Sequence, residues 1–154
     1  MSESQIKAIY KVTEVGIYGF FKEHRFLSNF HLCEIEYEGR PYTSTEAAYQ
    51  AAKTVFPDLR VPFESYKPFH AKSMGRLLPL RPEWEQMKDK LMYELCKQKF
   101  TKHEYLKSLL LATGDRYLEE TNYWGDTQWG VCNQIGDNKL GNILMRIREE
   151  IKTM

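Results

Sequence analysis

Cysteine is scarce in this chain. Its three residues, Cys33, Cys96 and Cys132, are an odd number at wide spacing. They form no C-x-x-C and no disulfide framework, which points to a reducing compartment. The four histidines, His24, His31, His70 and His103, show no H-E-x-x-H or similar ligand spacing, so no metal site and no cofactor is expected. Long apolar runs are missing too: the longest, Leu109 to Ala112, is far too short to cross a bilayer. The N-terminus lacks the charged-then-apolar pattern of a signal peptide. A soluble cytoplasmic protein with no membrane partner is the expectation. Net charge is almost absent at +1, which removes any general pull toward nucleic acid and leaves only local basic clusters. No Walker loop, G-x-G-x-x-G or G-x-S-x-G occurs, and there is no repeat, low-complexity tract or linker.

What is present fits one ordinary domain. A chain of 154 residues can bury a sizeable core, and 42% hydrophobic with 28% charged residues is a globular balance. Aromatic residues are plentiful at 14%, and such rings either fill a core or line a hollow for a flat ligand. Residues 1–7 are polar and read as frayed. Short strands are predicted at residues 9–12 and 17–21, and residues 32–37 alternate apolar and acidic as a strand that turns at Glu38-Gly39 into residues 40–42. Helices are predicted over about 44–56, 69–78, 82–100, 103–112 and 140–152, with residues 57–65 a loop and residues 117–120 a brief extended piece. The fold class is therefore α+β, mainly α: a single domain with a small N-terminal antiparallel hairpin or sheet and about five helices. Strands come early and helices late without βαβ alternation, which argues against a parallel sheet.

One stretch organises the rest. Thr43 stands three residues before Glu46, the spacing of a capping box. Glu46, Tyr49, Gln50 and Lys53 recur at i, i+3, i+4 and i+7 and share one helical face. That face carries an acid, an aromatic hydroxyl, an amide and a cation. It is either a site wall, or a cap with ordinary surface pairing. Ala47, Ala48, Ala51 and Ala52 leave room for another element or a ligand to approach. Upstream, Phe26-Leu27-Ser28-Asn29-Phe30 reads as a tight turn, or as a turn that presents the Asn29 amide to a ligand. Lys72 and Arg76, one turn apart, could grip a phosphate or simply be solvated, and Gly75 lets something approach the backbone. Trp84 fits the core face of the third helix, whereas Lys88, Lys90, Lys97 and Lys99 read as its solvated side. The irregular run 123–130 holds Trp124, Asp126 and Trp129. It is a loop pinned to the core by its rings, or a lid that sets Asp126 beside a flat ligand.

Taken together and in order, these pieces resemble the NADAR (YbiA-like) family. The matching residues are Phe26 to Phe30, the Y-x-x-x-E-x-x-Y-Q-x-x-K run from Tyr42 to Lys53, Ala71-Lys72 with Gly75-Arg76, and Trp84 followed by Met92. Further on come Lys99-Phe100, Leu110 with Thr113-Gly114, Asp126-x-x-Trp129-Gly130, and Leu140-Gly141 with Leu144-Met145 and Arg148. The resemblance implies a mainly helical N-glycosidase that uses no metal. It implies substrates such as phosphorylated ribosylamino-pyrimidine intermediates of riboflavin synthesis, or ADP-ribosylated guanine, with nucleic acid as the carrier of that modification. It places the family's acidic residues on Glu46 and Asp126, and its site tryptophan on Trp84. A flat base would then stack on Trp84 or on a ring of the loop holding Trp124 and Trp129, with Tyr49 and Gln50 among the substrate-binding residues; Lys53, Lys72 and Arg76 would hold a phosphate, and Asn29 a ribose hydroxyl or base edge. One departure stands out: Val131-Cys132 follows the W-G pair where many relatives have glycine. The competing expectations are a non-catalytic module for ADP-ribose or NAD, and a plain helical scaffold.

Overall fold

The computed structural model describes residues 2–154. In chain order its elements are α1 Glu3–Ile9, β1 Lys11–Val12, β2 Gly16–Tyr18, a 3₁₀ turn Lys22–Leu27, β3 Leu32–Tyr37 and β4 Arg40–Ser44. There follow α2 Thr45–Ala51, α3 Pro57–Arg60, a 3₁₀ turn Val61–Glu64, α4 Pro68–Gly75, α5 Trp84–Lys102 and α6 Glu104–Ala112. The chain ends with β5 Tyr117–Glu119, β6 Thr121–Asn122, β7 Val131–Cys132 and α7 Lys139–Lys152. The elements fall into two compact units, one of Met1–Ser28 with His103–Met154 and one of Asn29–Lys102. No described helix is long and apolar enough to cross a membrane.

In the first unit, β1, β2 and β5 form one sheet, with β1 antiparallel to β2 and β2 parallel to β5. A second parallel pair joins β6 to β7. These pairings correct the expectation of no parallel strands. Each is two or three residues long, and β2 and β5 are far apart in the chain, so no local βαβ pattern announces them. Helix α7 packs on β5 and buries Leu140, Leu144, Ile147 and Ile151; the stripe expected from its period also held Ile143, which is half-buried. Of residues 1–7, expected to fray, the first lies outside the described residues and Glu3 onward form α1 instead, where the Ser2 hydroxyl accepts the Gln5 N–H at 3.3 Å and Ile6 is buried.

The second unit is built around α2. All seven of its residues are buried, and it packs against α4, α5, β3, β4 and the turn Val61–Glu64. Its alanines Ala47, Ala48 and Ala51 are wholly buried, which lets those neighbours come close. The hairpin β3–β4 turns at Glu38 and Gly39, with φ of +48° and +80°. That left-handed pair suits a two-residue hairpin loop. Seven α-helices and two 3₁₀ turns are present among the described residues, against about five helices expected. The additions are α1, α3 and the 3₁₀ turns, all too short to show apolar periodicity.

The inner face of α5 departs most from expectation. Leu91, Met92, Leu95, Cys96 and Phe100 are buried as a core face should be, but so are Lys88 and Lys99. Lys99 is 1% exposed, and its ammonium lies 5.0 Å from the Phe100 ring centre. Burial pulls its pKa down to about 8, against smaller upward pulls from Cys33 and Cys96. Neither Lys88 nor Lys99 belongs to a solvated face, because position on the helix outweighs residue type.

Candidate active site

The first turn of α2 sets the geometry. Its N-cap is Ser44, whose hydroxyl accepts the Ala47 N–H at 3.0 Å. The expected cap, Thr43, instead donates to the Tyr66 carbonyl at 3.0 Å. This one-residue shift removes the capping box, since the third helical residue is then Ala47 and Glu46 is the second. Glu46 is thereby released from a capping role and lies in the first helical turn, where the helix dipole favours a carboxylate. Its backbone N–H donates to the Asn29 carbonyl at 3.1 Å, which ties the head of α2 to the start of the unit.

Glu46 is 8% exposed and its neighbour Gln50 is 5% exposed, so their contact is not a surface pair. The Gln50 Nε2 donates to Glu46 Oε2 at 2.6 Å. With the amide nitrogen committed to the carboxylate, Gln50 Oε1 is buried without a hydrogen-bond partner. It points at Gly75, where any Cβ would collide with it. The approach anticipated at Gly75 is thus made by Gln50. Gly75→Ala is expected to cost about 1–3 kcal/mol of stability, because its Cβ meets the buried Gln50 side chain and forces it off the Glu46 carboxylate. With Gln50 off Glu46, turnover is expected to fall at least about tenfold at temperatures where the variant remains folded; thermal melts beside a turnover assay check this.

Tyr49 faces Trp84 from α5, their ring centres 5.1 Å apart and their planes 55° apart, and both rings are buried. Beyond the end of α2, Lys53 occupies a turn rather than the helix, its N–H donating to the Gln50 carbonyl at 3.1 Å. Burial lowers the Lys53 pKa; the Glu46 charge opposes this, and Arg76, Lys88 and Lys72 reinforce it. Four cations and one carboxylate therefore share one electrostatic neighbourhood. Lys72 also lies 5.8 Å from the Phe30 ring centre. Asn29 is buried, its Nδ2 donating to the Met92 sulfur at 3.4 Å and its Oδ1 receiving the Cys96 thiol at 3.8 Å. Asn29, Glu46, Tyr49, Gln50, Lys53, Lys72, Arg76 and Trp84 all belong to the second unit. Lys88 joins them without having been singled out by its sequence context. The signal that could have found it is its i+4 spacing from Trp84.

Asp126, Trp124 and Trp129 belong to the first unit. Asp126 Oδ1 accepts the N–H groups of Gln128 and Trp129 at 3.0 and 2.9 Å, a side-chain turn that shapes the loop. Asn122, almost fully buried, holds the same loop from beneath. Its Oδ1 accepts from Trp124 and Asp126 at 3.2 and 3.0 Å, and its Nδ2 donates to the Asp126 carbonyl at 2.9 Å. Trp124 is half exposed and meets Phe21 edge to face at 6.3 Å. The Lys139 ammonium lies 5.8 Å from the Trp129 ring centre. Among the described residues no three His, Cys, Asp or Glu side chains gather as metal ligands.

Comparison with known proteins agrees with the ordered motifs. N-glycosidase YbiA of Escherichia coli is 32% identical over 154 residues, covering 96% of this chain and 94% of that protein. A riboflavin biosynthesis protein of Vibrio vulnificus is 34% identical over 140 residues, 85% of this chain but 36% of its own length. The NMR structure of E. coli YbiA superimposes with a TM-score of 0.79 at 29% identity, covering 97% of this chain and 92% of that one. The NADAR domain itself matches residues 17–152. With the E-x-x-Y-Q helix, the cations beside it and the D-x-x-W-G turn all lying inside that match, the chain belongs to the NADAR family.

Proposed function

We propose that this protein is an N-glycosidase. It hydrolyses the bond between the anomeric carbon of a phosphorylated ribosyl group and the nitrogen of an amine or base. Water supplies the hydroxyl to the sugar and a proton to the departing nitrogen. The observation that carries this reading is Glu46, a buried carboxylate clamped by Gln50 at 2.6 Å and sharing its neighbourhood with Lys53, Lys72, Arg76 and Lys88. Cleavage builds positive charge on the sugar, which a fixed carboxylate stabilises, while cations hold the phosphate away from the reacting carbon. Glu46 is the carboxylate of the second unit assigned to the chemistry, as base for water or as stabiliser of the sugar's charge, and Asp126 of the first unit is a separate candidate with its own test below. Tyr49 and Trp84 supply ring surface for a flat base.

Two substrate classes fit. The relative named for riboflavin biosynthesis supports ribosylamino-pyrimidine phosphates, which would release ribose 5-phosphate. The number of cations equally suits the pyrophosphate of ADP-ribose, released from modified guanine in nucleic acid. The deciding experiment incubates the protein with each substrate and follows release of ribose 5-phosphate or ADP-ribose, with and without excess chelator. Release from either substrate, undiminished by chelator, is expected. Binding of ADP-ribose or NAD without release from any substrate would replace the enzyme with a binding module, which the same cations would serve.

Asp126→Asn gives a separate check. Asparagine keeps the Oδ1 that accepts the Gln128 and Trp129 amides, so the loop survives while the charge is lost. Turnover is expected to fall about 10²-fold or more with little change in melting temperature. Near-normal turnover would confine Asp126 to shaping the loop.

A further inference from the structure

Helix α2 ends without the usual stop. None of Ala52, Lys53 and Thr54 takes the left-handed conformation that closes many helices. The carbonyl groups at such an end have no intrahelical donors and need partners from elsewhere. Two arginines supply them to three successive residues. The Arg81 guanidinium donates through Nη1 to the Ala52 carbonyl at 3.3 Å. The Arg81 backbone N–H donates to the Lys53 carbonyl at 2.8 Å. Arg60 Nε donates to the Thr54 carbonyl at 2.8 Å. Two cations also suit the negative end of the helix dipole. Each guanidinium is anchored in turn by a carboxylate: Arg81 Nε on Glu83 Oε1 at 2.6 Å, and Arg60 Nη1 on Glu38 Oε1 at 2.5 Å. All of these residues belong to the second unit. Ala52 and Thr54 are wholly buried, and Lys53 between them is half-buried. The backbone of Lys53 is thus pinned on both sides, while its side chain is a long flexible stem. Where the ammonium can act is then decided by where the backbone is held.

We infer that Arg81 is a positioning residue for Lys53: by holding the Ala52 and Lys53 carbonyls it fixes the turn from which the Lys53 ammonium reaches the substrate's phosphate. This rests on the reading of Lys53 as a phosphate-holding residue and deepens it. Arg81 acts through Lys53 and does not touch the ligand. Glu83 keeps the Arg81 fork aimed at the turn. Arg60, which is buried and also ties down the β3–β4 turn at Glu38, has a structural task of its own.

The test is calorimetric titration of the whole protein with ADP-ribose and with ribose 5-phosphate, which needs no turnover. Lys53→Met is expected to weaken binding of at least one of them about tenfold or more. Arg81→Met, titrated well below its melting temperature, should weaken the same ligand about threefold or more. The double variant should bind it as Lys53→Met does, within about twofold, because nothing remains for Arg81 to position. A merely structural role would instead add its loss to that of Lys53→Met. Glu83→Leu, at an exposed position, frees the guanidinium from its anchor and should weaken the ligand about twofold; it decides the matter if Arg81→Met does not fold. Amide exchange of the free protein gives a second readout, with Lys53 and Thr54 exchanging faster in Arg81→Met. Arg81→Met binding as tightly as the wild type while Lys53→Met does not, or losses that add in the double variant, would overturn the inference and leave Lys53 as a phosphate residue. Lys53→Met binding as tightly as the wild type would remove Lys53 from the phosphate reading itself, and the inference with it.

Discussion

Glu46→Gln should lower kcat by about 10²–10⁴-fold, equivalent to roughly 3–5 kcal/mol of transition-state stabilisation. The substitution preserves length and shape and removes only the charge and the capacity to take a proton. The fold should tolerate it, because the cap of α2 is Ser44 rather than this side chain, and the Glu46 backbone N–H still donates to Asn29. The 2.6 Å bond from Gln50 would become a contact between two amides, costing about 1 kcal/mol of stability. Thermal melts together with single-turnover kinetics separate the two effects. A stability loss of that size with normal turnover would reduce Glu46 to a structural partner of Gln50. Loss of turnover in a protein that melts like the wild type would assign it to the chemistry.

The second large effect concerns stability and pH. Lys99 has its pKa lowered from 10.5 to about 8, chiefly by burial. Below pH 8 the side chain is protonated in both folded and unfolded states, so the folded state carries the full cost of a buried charge. Between about pH 8 and 10.5 the folded protein holds fewer protons than the unfolded chain, and stability rises with pH. A displacement of that size corresponds to about 3 kcal/mol across the window. Lys99→Met is therefore expected to be more stable than the wild type at pH 7, by about 1–3 kcal/mol. The advantage should shrink as pH approaches 10. Denaturant unfolding of both proteins at several pH values, each in a Cys33→Ala background because the Lys99 charge lowers the pKa of that thiol, isolates this residue. A constant difference from pH 7 to 10 would show that Lys99 does not titrate in this range.

Much of this arrangement was legible from local pattern. A helix over about residues 44–56 was readable with Glu46, Tyr49, Gln50 and Lys53 on one side; α2 ends at Ala51, so its period places the first three and leaves Lys53 in the turn beyond. The apolar stripe of α7 was visible for the same reason, and the hairpin turn at Glu38-Gly39 from its glycine between two short strands. The exact cap was not. Thr43, Ser44 and Thr45 all carry hydroxyls, and the choice of Ser44 depends on how far β4 runs, with Ser44 still paired to Leu32. The burial of Lys88 and Lys99 was equally hidden. Lysine ordinarily marks a wet surface, and only the packing of α5 against α2 and β3 turns that face inward. Asn122 carried no motif at all, since its role lies in backbone groups up to nine residues away that it gathers in three dimensions.

The pairing of Gly16–Tyr18 with Tyr117–Glu119 has a consequence for how the chain is made. On a ribosome, the earlier strand emerges long before its parallel neighbour exists, and the whole stretch Asn29–Lys102 is synthesised in between. That stretch is continuous and has its own compact interior, so its contacts can form while the first strand still waits. Closing so long an intervening segment is entropically slow. Assembly should therefore run from the middle outward, with the two ends of the polypeptide joining last.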